Sequence, residues 1–420
     1  MRIFKFGGAS VKDADAVKNV ASIIKLEKEK QLLIVISAMG KSTNLLECIV
    51  DDWYNGRDTL KKHYDELKSF HLNIVNELIQ DEHNPIYNDI ENLLFELECL
   101  IEKTPDRDIE FDFYYDQIVS YGEFLSTKIV SNYLLSAKIK NKWVDARNFI
   151  LTDDNHRNAK VNWEETEKVI KSKLVPFLEK NIVITQGFIG KSMSNHNTTL
   201  GREGSDYSAA IFAYCTDSKN LTIWKDVDGV LTADPKLFPD ATLIETLSYN
   251  QTIELAYYGA SVIHPKTMQP LKAKKIELKV KSFVDSSRKG TVVREASGKE
   301  KLVSSIIVKK NQTLLHLSTK DFSFIIEEHL GEIFNILAQF KIKVNLMQNT
   351  AISFDLCIDT PKRKEVREQL IERLSPVFNT NIRNNLSLYT FYGDEKRHLN
   401  DKEVILEQKH NNVTHVVCNC

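Results

Sequence analysis

The sequence has no apolar run that approaches transmembrane length, so nothing in it calls for a membrane span. It carries no excess of either charge. Lys and Arg number 56 against 58 Asp and Glu, a net charge of -2, which removes the usual argument for nucleic acid or an anionic membrane. Its 6 cysteines, at 48, 99, 215, 357, 418 and 420, lie too far apart for a disulfide framework or a CxxC metal site. They read as reduced thiols of a cytoplasmic protein. The CxC formed by Cys418 and Cys420 has no further ligands nearby to make it a metal site. The first residues lack the basic segment and long apolar core of a secretory signal. A Walker A loop, the kinase HRD and DFG signatures, tandem repeats and low-complexity tracts are all missing.

What is there is an ordinary globular composition of 420 residues, 42% hydrophobic and 27% charged, enough for two or three domains. Residues 3–6 read as a short strand, 14–30 as a helix and LLIVIS (32–37) as a buried strand, a β-loop-α-β unit of the kind that builds parallel sheets. Residues 45–112 are charged and helix-periodic, a helical excursion from the sheet. Helix (120–137), strand (140–144), the run NIVITQGFIG (181–190), helix (206–215) and the strand LTIW (221–224) then alternate. The fold class expected is α/β over residues 1–290, a polar linker after Ser286, and a smaller α+β module over 300–420 in the order βαββα with extra strands.

Two stretches look like anion sites. In KFGGAS (5–10) two glycines follow a strand, so Gly7 and Gly8 can bring backbone N–H groups close to an anion, with Lys5 as a point charge and Ser10 as a donor or helix cap. In TTLGREGSDYSAAIF (198–212) a glycine-rich turn leads into a helix, with Ser205 placed to cap a helix starting at Asp206. Read singly, either could be a plain turn with a cap. Ser120 to Glu123 likewise reads first as a capping box.

Taken together, KFGGASV (5–11), SAMGKSTNLL (37–46), GFIG (187–190), TTLGREGSD (198–206), IWKDVDGVLTADPK (223–236) and YGASVIHPKT (258–267) resemble, in order, the signature segments of aspartate kinases. The C-terminal module resembles the ACT regulatory domains of that family. The resemblance implies a three-layer αβα amino-acid kinase domain with a mainly parallel sheet, plus an ACT-like region whose second ACT is truncated around DEKRHLNDK (394–402). It implies transfer of the γ-phosphoryl of ATP to the side-chain carboxylate of L-aspartate, the first step toward lysine, threonine and methionine. Mg²⁺ would be carried by ATP rather than by a protein metal site.

By the same resemblance Lys5, Gly7, Gly8 and Asp206 are the catalytic residues, and Ser10, Ser37, Thr43, Glu123, Arg202 and Ser205 bind substrate. Lys225, Asp226, Leu231 and Lys236 hold the nucleotide. Asn345 and Thr350 fall in the effector-contact segment. The partners expected are ATP, L-aspartate, an amino-acid effector and further copies of the chain as a homodimer or higher oligomer. Four positions depart from the family pattern. Glu203 replaces a glycine, Lys236 an arginine, Ser261 a lysine whose ATP contact could pass to Lys266, and Leu231 an aromatic residue. In the module, Asn345 stands where an aspartate is common in the family, and Ala351 where lysine-sensitive members carry a glutamate. The alternatives are another amino-acid kinase and an ACT-based amino-acid sensor without turnover.

Overall fold

Apolar runs of five or six residues, buried on both faces, suit a parallel sheet covered by helices. The computed structural model describes residues 1–27, 31–81, 83–260, 263–296, 303–321, 323–361, 363–393, 399 and 402–419. These fall into two units. One comprises residues 1–230, 243–253 and 261–299, the other 231–242, 254–260 and 300–420.

The first unit opens with β1 (Arg2–Phe6), α1 (Ala14–Leu26) and β2 (Leu32–Ile36). The expected helix over 14–30 stops early, because Glu27 turns to an extended conformation; residues 28–30 lie outside the described residues. Five helices follow, α2 (Ser42–Asn55), α3 (Leu60–Leu78), α4 (Ile86–Ile101), α5 (Phe111–Val119) and α6 (Tyr121–Ser136). Then come β3 (Asn141–Trp143), β4 (Leu151–Thr152), α7 (Trp163–Val169), α8 (Val175–Leu178), β5 (Ile182–Gln186), β6 (Ile189–Ser192) and β7 (Asn197–Thr199). The unit continues through α9 (Gly204–Cys215), β8 (Asn220–Lys225), β9 (Thr246–Ser248), the start of α10 (Tyr249–Tyr258), α11 (Pro265–Ala273), β10 (Glu277–Ser282) and β11 (Thr291–Arg294).

The main sheet has the order β3-β5-β2-β1-β8-β10-β11-β9 and is parallel except for the β10–β11 pair. Strand alternation decides which layer each side chain meets. Phe4 and Phe6 of β1, with Leu32, Ile34 and Ile36 of β2, share one core with α1, α3, α4 and α6. Lys5 points the other way, toward α9, which packs on β1, β2 and β8. Helices on both faces make the three layers.

The second unit is built on β12 (Ser305–Thr319), α12 (Glu327–Gln339), β13 (Val344–Asn349), β14 (Ser353–Asp359), α13 (Lys364–Leu374), β15 (Phe378–Tyr392), β16 (Val404–His410) and β17 (Val413–Asn419). Its antiparallel sheet runs β13-β14-β12-β15-β17-β16. Leu315, Leu317, Phe354, Leu356 and Ile358 face α12 and α13 through Ile333, Leu337, Leu370 and Leu374. The unit draws in its two upstream segments. Ile306 N–H donates to the Thr232 carbonyl at 2.7 Å, the Tyr392 hydroxyl to Glu254 Oε2 at 2.7 Å, and the Tyr258 and His415 rings lie 4.9 Å apart. The polar stretch expected to mark a truncated ACT lies almost wholly outside the described residues. Among the described residues no helix is long and apolar enough to cross a membrane.

Candidate active site

The carboxyl ends of parallel strands are where loops and helix N-termini converge. The segments after β1, β2, β5 and β8 line one cavity of about 670 Å³. They bring Gly7 to Ser10, Ser37 and Ala38, Phe188, and Asp226 respectively. α2 adds Thr43 and Glu47, α6 adds Glu123, and the turn into α9 adds Gly201 to Asp206.

At the base of the cavity Lys5 Nζ lies 2.6 Å from Asp206 Oδ1, and Lys225 Nζ, at the end of β8, lies 3.7 Å from Asp206 Oδ2. Lys5 is 8% and Asp206 3% exposed. Burial opposes ionisation of Asp206, but the two ammonium groups outweigh it and hold the carboxyl below its ordinary range. Lys5 and Asp206 are buried and Lys225 is partly exposed, and the three form a +,−,+ row between two strand ends and the first turn of α9.

The glycine motifs are explained by close approach. A Cβ on Gly8 would lie 2.9 Å from the carbonyl oxygens of both Ala38 and Gly40, because the β1 and β2 loops are tied by a Gly40 N–H to Gly8 carbonyl bond of 3.0 Å. A Cβ on Gly187 would lie 2.5 Å from Ser205 Cβ, so GFIG and GREGSD are two halves of one packed contact. Ser10 does not cap α1. It sits in a 3₁₀ turn (Gly8–Val11), while Asp13 caps the helix by accepting from Ala16 N–H. Nor does Ser205 cap α9. The helix begins at Gly204 with Glu203 in the cap position at φ 54°, without a side-chain capping bond, and Ser205 falls in its first turn.

The capping box at Ser120 does not form. Ser120 is helical and its hydroxyl donates back to the Asp116 carbonyl at 2.6 Å. Glu123 is thereby free to turn into the cavity. It is 2% exposed, its Oε1 accepts from Ala38 N–H at 3.2 Å, and its Oε2 has no hydrogen-bond partner among the described residues. Burial pushes its carboxyl up to about 8, against the lowering effect of the Ala38 N–H and Lys5.

Thus Lys5, Gly7, Gly8, Ser10, Ser37, Thr43, Glu123, Arg202, Ser205, Asp206, Lys225 and Asp226 share one cavity. Leu231 and Lys236 do not line it; both fall in the 231–242 segment of the second unit, where Lys236 N–H donates to Asp234 Oδ1. Ser261 lies outside the described residues, and Lys266 Nζ donates to Asn158 Oδ1 at 2.5 Å. In the second unit Asn345 is engaged by Lys309, Gln312 and Asp359, and the Thr350 hydroxyl by Ser353.

Three cavity residues escaped the sequence reading. The Tyr115 hydroxyl donates to Glu47 Oε1 at 2.6 Å, and the Arg157 guanidinium lies 4.3 Å over the Tyr115 ring. Glu47 could have been found, since it is one helical turn after Thr43. Arg157 and Tyr115 belong to no local pattern.

A family model described as the amino acid kinase family matches residues 1–282. The lysine-sensitive aspartokinase 3 of Escherichia coli (strain K12) is 31% identical over 398 residues, spanning 94% of this chain and 87% of that protein. The chloroplastic aspartokinase 1 of Arabidopsis thaliana is 31% identical over 410 residues, 93% of this chain and 70% of that one. Among solved structures, E. coli aspartokinase III with lysine and aspartate (T-state) matches with a TM-score of 0.86 at 28% identity, covering 99% of this chain and 95% of that chain. The same enzyme with aspartate and ADP (R-state) matches with a TM-score of 0.82 at 27% identity, covering 100% and 96%.

Proposed function

The chain belongs to the amino acid kinase family and, within it, to the aspartokinases, and we propose that the cavity at the end of β1 is where it phosphorylates L-aspartate. The reaction moves the γ-phosphoryl of ATP to the side-chain carboxylate, giving 4-phospho-L-aspartate. The acceptor, with a pKa of ~4, is already ionised at neutral pH, so no general base is needed. The obstacle is an anion approaching a polyanion, and catalysis is positioning and charge compensation.

The single observation that supports this most is the Lys5–Asp206–Lys225 row, its Lys5–Asp206 pair buried, in the same cavity as the uncommitted oxygen of Glu123. Lys5 neutralises charge on the transferring phosphoryl, the Gly7 and Gly8 amides assist, and Asp206 holds Lys5 in place. Arg202 grips the substrate α-carboxylate, Glu123 takes the α-ammonium, and Ser10, Ser37, Thr43 and Ser205 supply further polar contacts. Lys225 and Asp226 hold the nucleotide, while Leu231 and Lys236, expected to share that role, do not line the cavity. Mg²⁺ suits this end of the cavity, where exposed Asp226 offers a hard oxygen donor to an ion that comes bound to phosphates. Its chemistry there is to neutralise phosphate charge.

Residues 1–290 make up the catalytic domain and 300–420 a regulatory, ACT-type region that assembles the chain as a homodimer or higher oligomer in the cytoplasm. The effector is an amino acid, in keeping with a lysine-sensitive E. coli relative and an E. coli T-state structure that holds lysine. The replacement of expected acids by Asn345 and Ala351 argues against lysine itself. The test is ADP release from Mg·ATP with L-aspartate, trapping the acyl phosphate as hydroxamate, with and without lysine, threonine or methionine. Aspartate-dependent hydroxamate is expected. Its absence from folded, ATP-binding protein, or its formation with glutamate but not aspartate, would overturn the reading.

A further inference from the structure

Three carboxylate oxygens lining this cavity are buried without a hydrogen-bond partner among the described residues; Asp206 Oδ1 has the Lys5 ammonium 2.6 Å away, which leaves Oε2 of Glu123 and Oε2 of Glu203. A buried acceptor left unpaired is costly and points to a donor that arrives with a ligand. Glu203 carries a second cost. It holds the left-handed φ of 54°, which glycine adopts freely and other residues do not, at a position where the resembling segments carry glycine. Helix capping does not offset that strain, because its side chain gives α9 no capping bond.

A carboxylate beside a triphosphate site is repelled unless a cation faces it. Of the cations lining the cavity, Lys5 and Lys225 face Asp206 and Arg157 pairs with Asp112. Arg202 is given to the substrate α-carboxylate, and Mg²⁺ would stay with the phosphates, so the ammonium that the amino-acid substrate brings is the cation that Glu203 can meet. An ammonium has three N–H donors, and Glu123 Oε2 can accept only one of them well. Resting on the aspartate-kinase reading above, we propose that Glu203 is a second acceptor for the substrate ammonium. It is then a specificity-determining residue that favours aspartate over dicarboxylates lacking the amine.

The test is calorimetric titration of L-aspartate, and separately of succinate, into the full-length protein with Mg·ADP, comparing wild type, Glu203→Gly and Glu203→Gln. The glycine variant suits the local backbone, so its thermal midpoint is expected to hold or rise. Aspartate Kd should weaken about tenfold, the scale of one charge-assisted hydrogen bond, while succinate Kd moves less than twofold. Equal weakening of both ligands, an unchanged aspartate Kd, or a shift confined to Mg²⁺ dependence would overturn the proposal. A fall in thermal midpoint with no change in binding would mark Glu203 as structural. Wild-type hydroxamate formation, run on the same preparations, reports separately on the aspartate-kinase reading.

Discussion

Asp206 remains a carboxylate in a dry site only because two lysines face it. Lys5→Ala removes the closer one and leaves Lys225, so the fold is expected to survive while hydroxamate turnover drops ~10²-fold or more. Equal turnover in the two proteins would sink the role given to Lys5. Glu123 poses the opposite case, since its carboxyl rises from 4.5 to about 8. Near pH 7 it is mostly protonated, and accepting an ammonium ionises it. Aspartate binding should therefore release close to one proton at pH 7 and almost none above pH ~9.5. Titrations in buffers of different ionisation enthalpy measure this directly. The sign for stability follows from the raised pKa: the contribution is fully present below 4.5 and lost as pH rises through about 8. Glu123→Gln should thus be more stable than wild type by several kcal/mol at pH 9, with the gap shrinking by about half at pH 6 and closing near pH 4.5. A constant difference across pH in thermal melts would refute the assignment.

At the level of elements, the β1 and β2 loops act together because Gly8 lets their backbones meet. Gly8→Ala has to push its methyl against two carbonyl oxygens. It is expected to cost about 1–3 kcal/mol in chemical denaturation and most of the turnover. Unchanged stability would mean that the loops part freely. The β1 strand was legible from the chain, and with it the helical excursion and the βαββα order of the C-terminal module. The caps were not. Ser10, Ser120 and Ser205 each sit in a fitting local pattern, yet Asp13 outbids the first as a cap. Ser120 continues the helix from α5, and the packing of Gly204 against Phe188 starts α9 earlier than Ser205 would. Local patterns state what a side chain can do, and tertiary contacts choose. Arg157 over Tyr115 was invisible for the same reason, being a pairing across 42 positions.

Over the whole molecule, the chain passes between its two units at 230, 242, 253, 260 and 299. Two stretches, 231–242 and 254–260, group with residues 300–420 in the second unit. A fragment of residues 300–420 lacks Thr232, Glu254 and Tyr258, the partners of Ile306, Tyr392 and His415. It should melt at a lower temperature and less cooperatively than a fragment of residues 231–420, and equal melting would show that those partners are dispensable. A lineage inherits these interleaved stretches as a set. A single recombination junction at 299 would leave a hybrid with 231–242 and 254–260 from the wrong parent, mismatched to the sheet that they pack on. New effector responses in such a protein are more readily reached by substitution inside the second unit than by exchange of its tail.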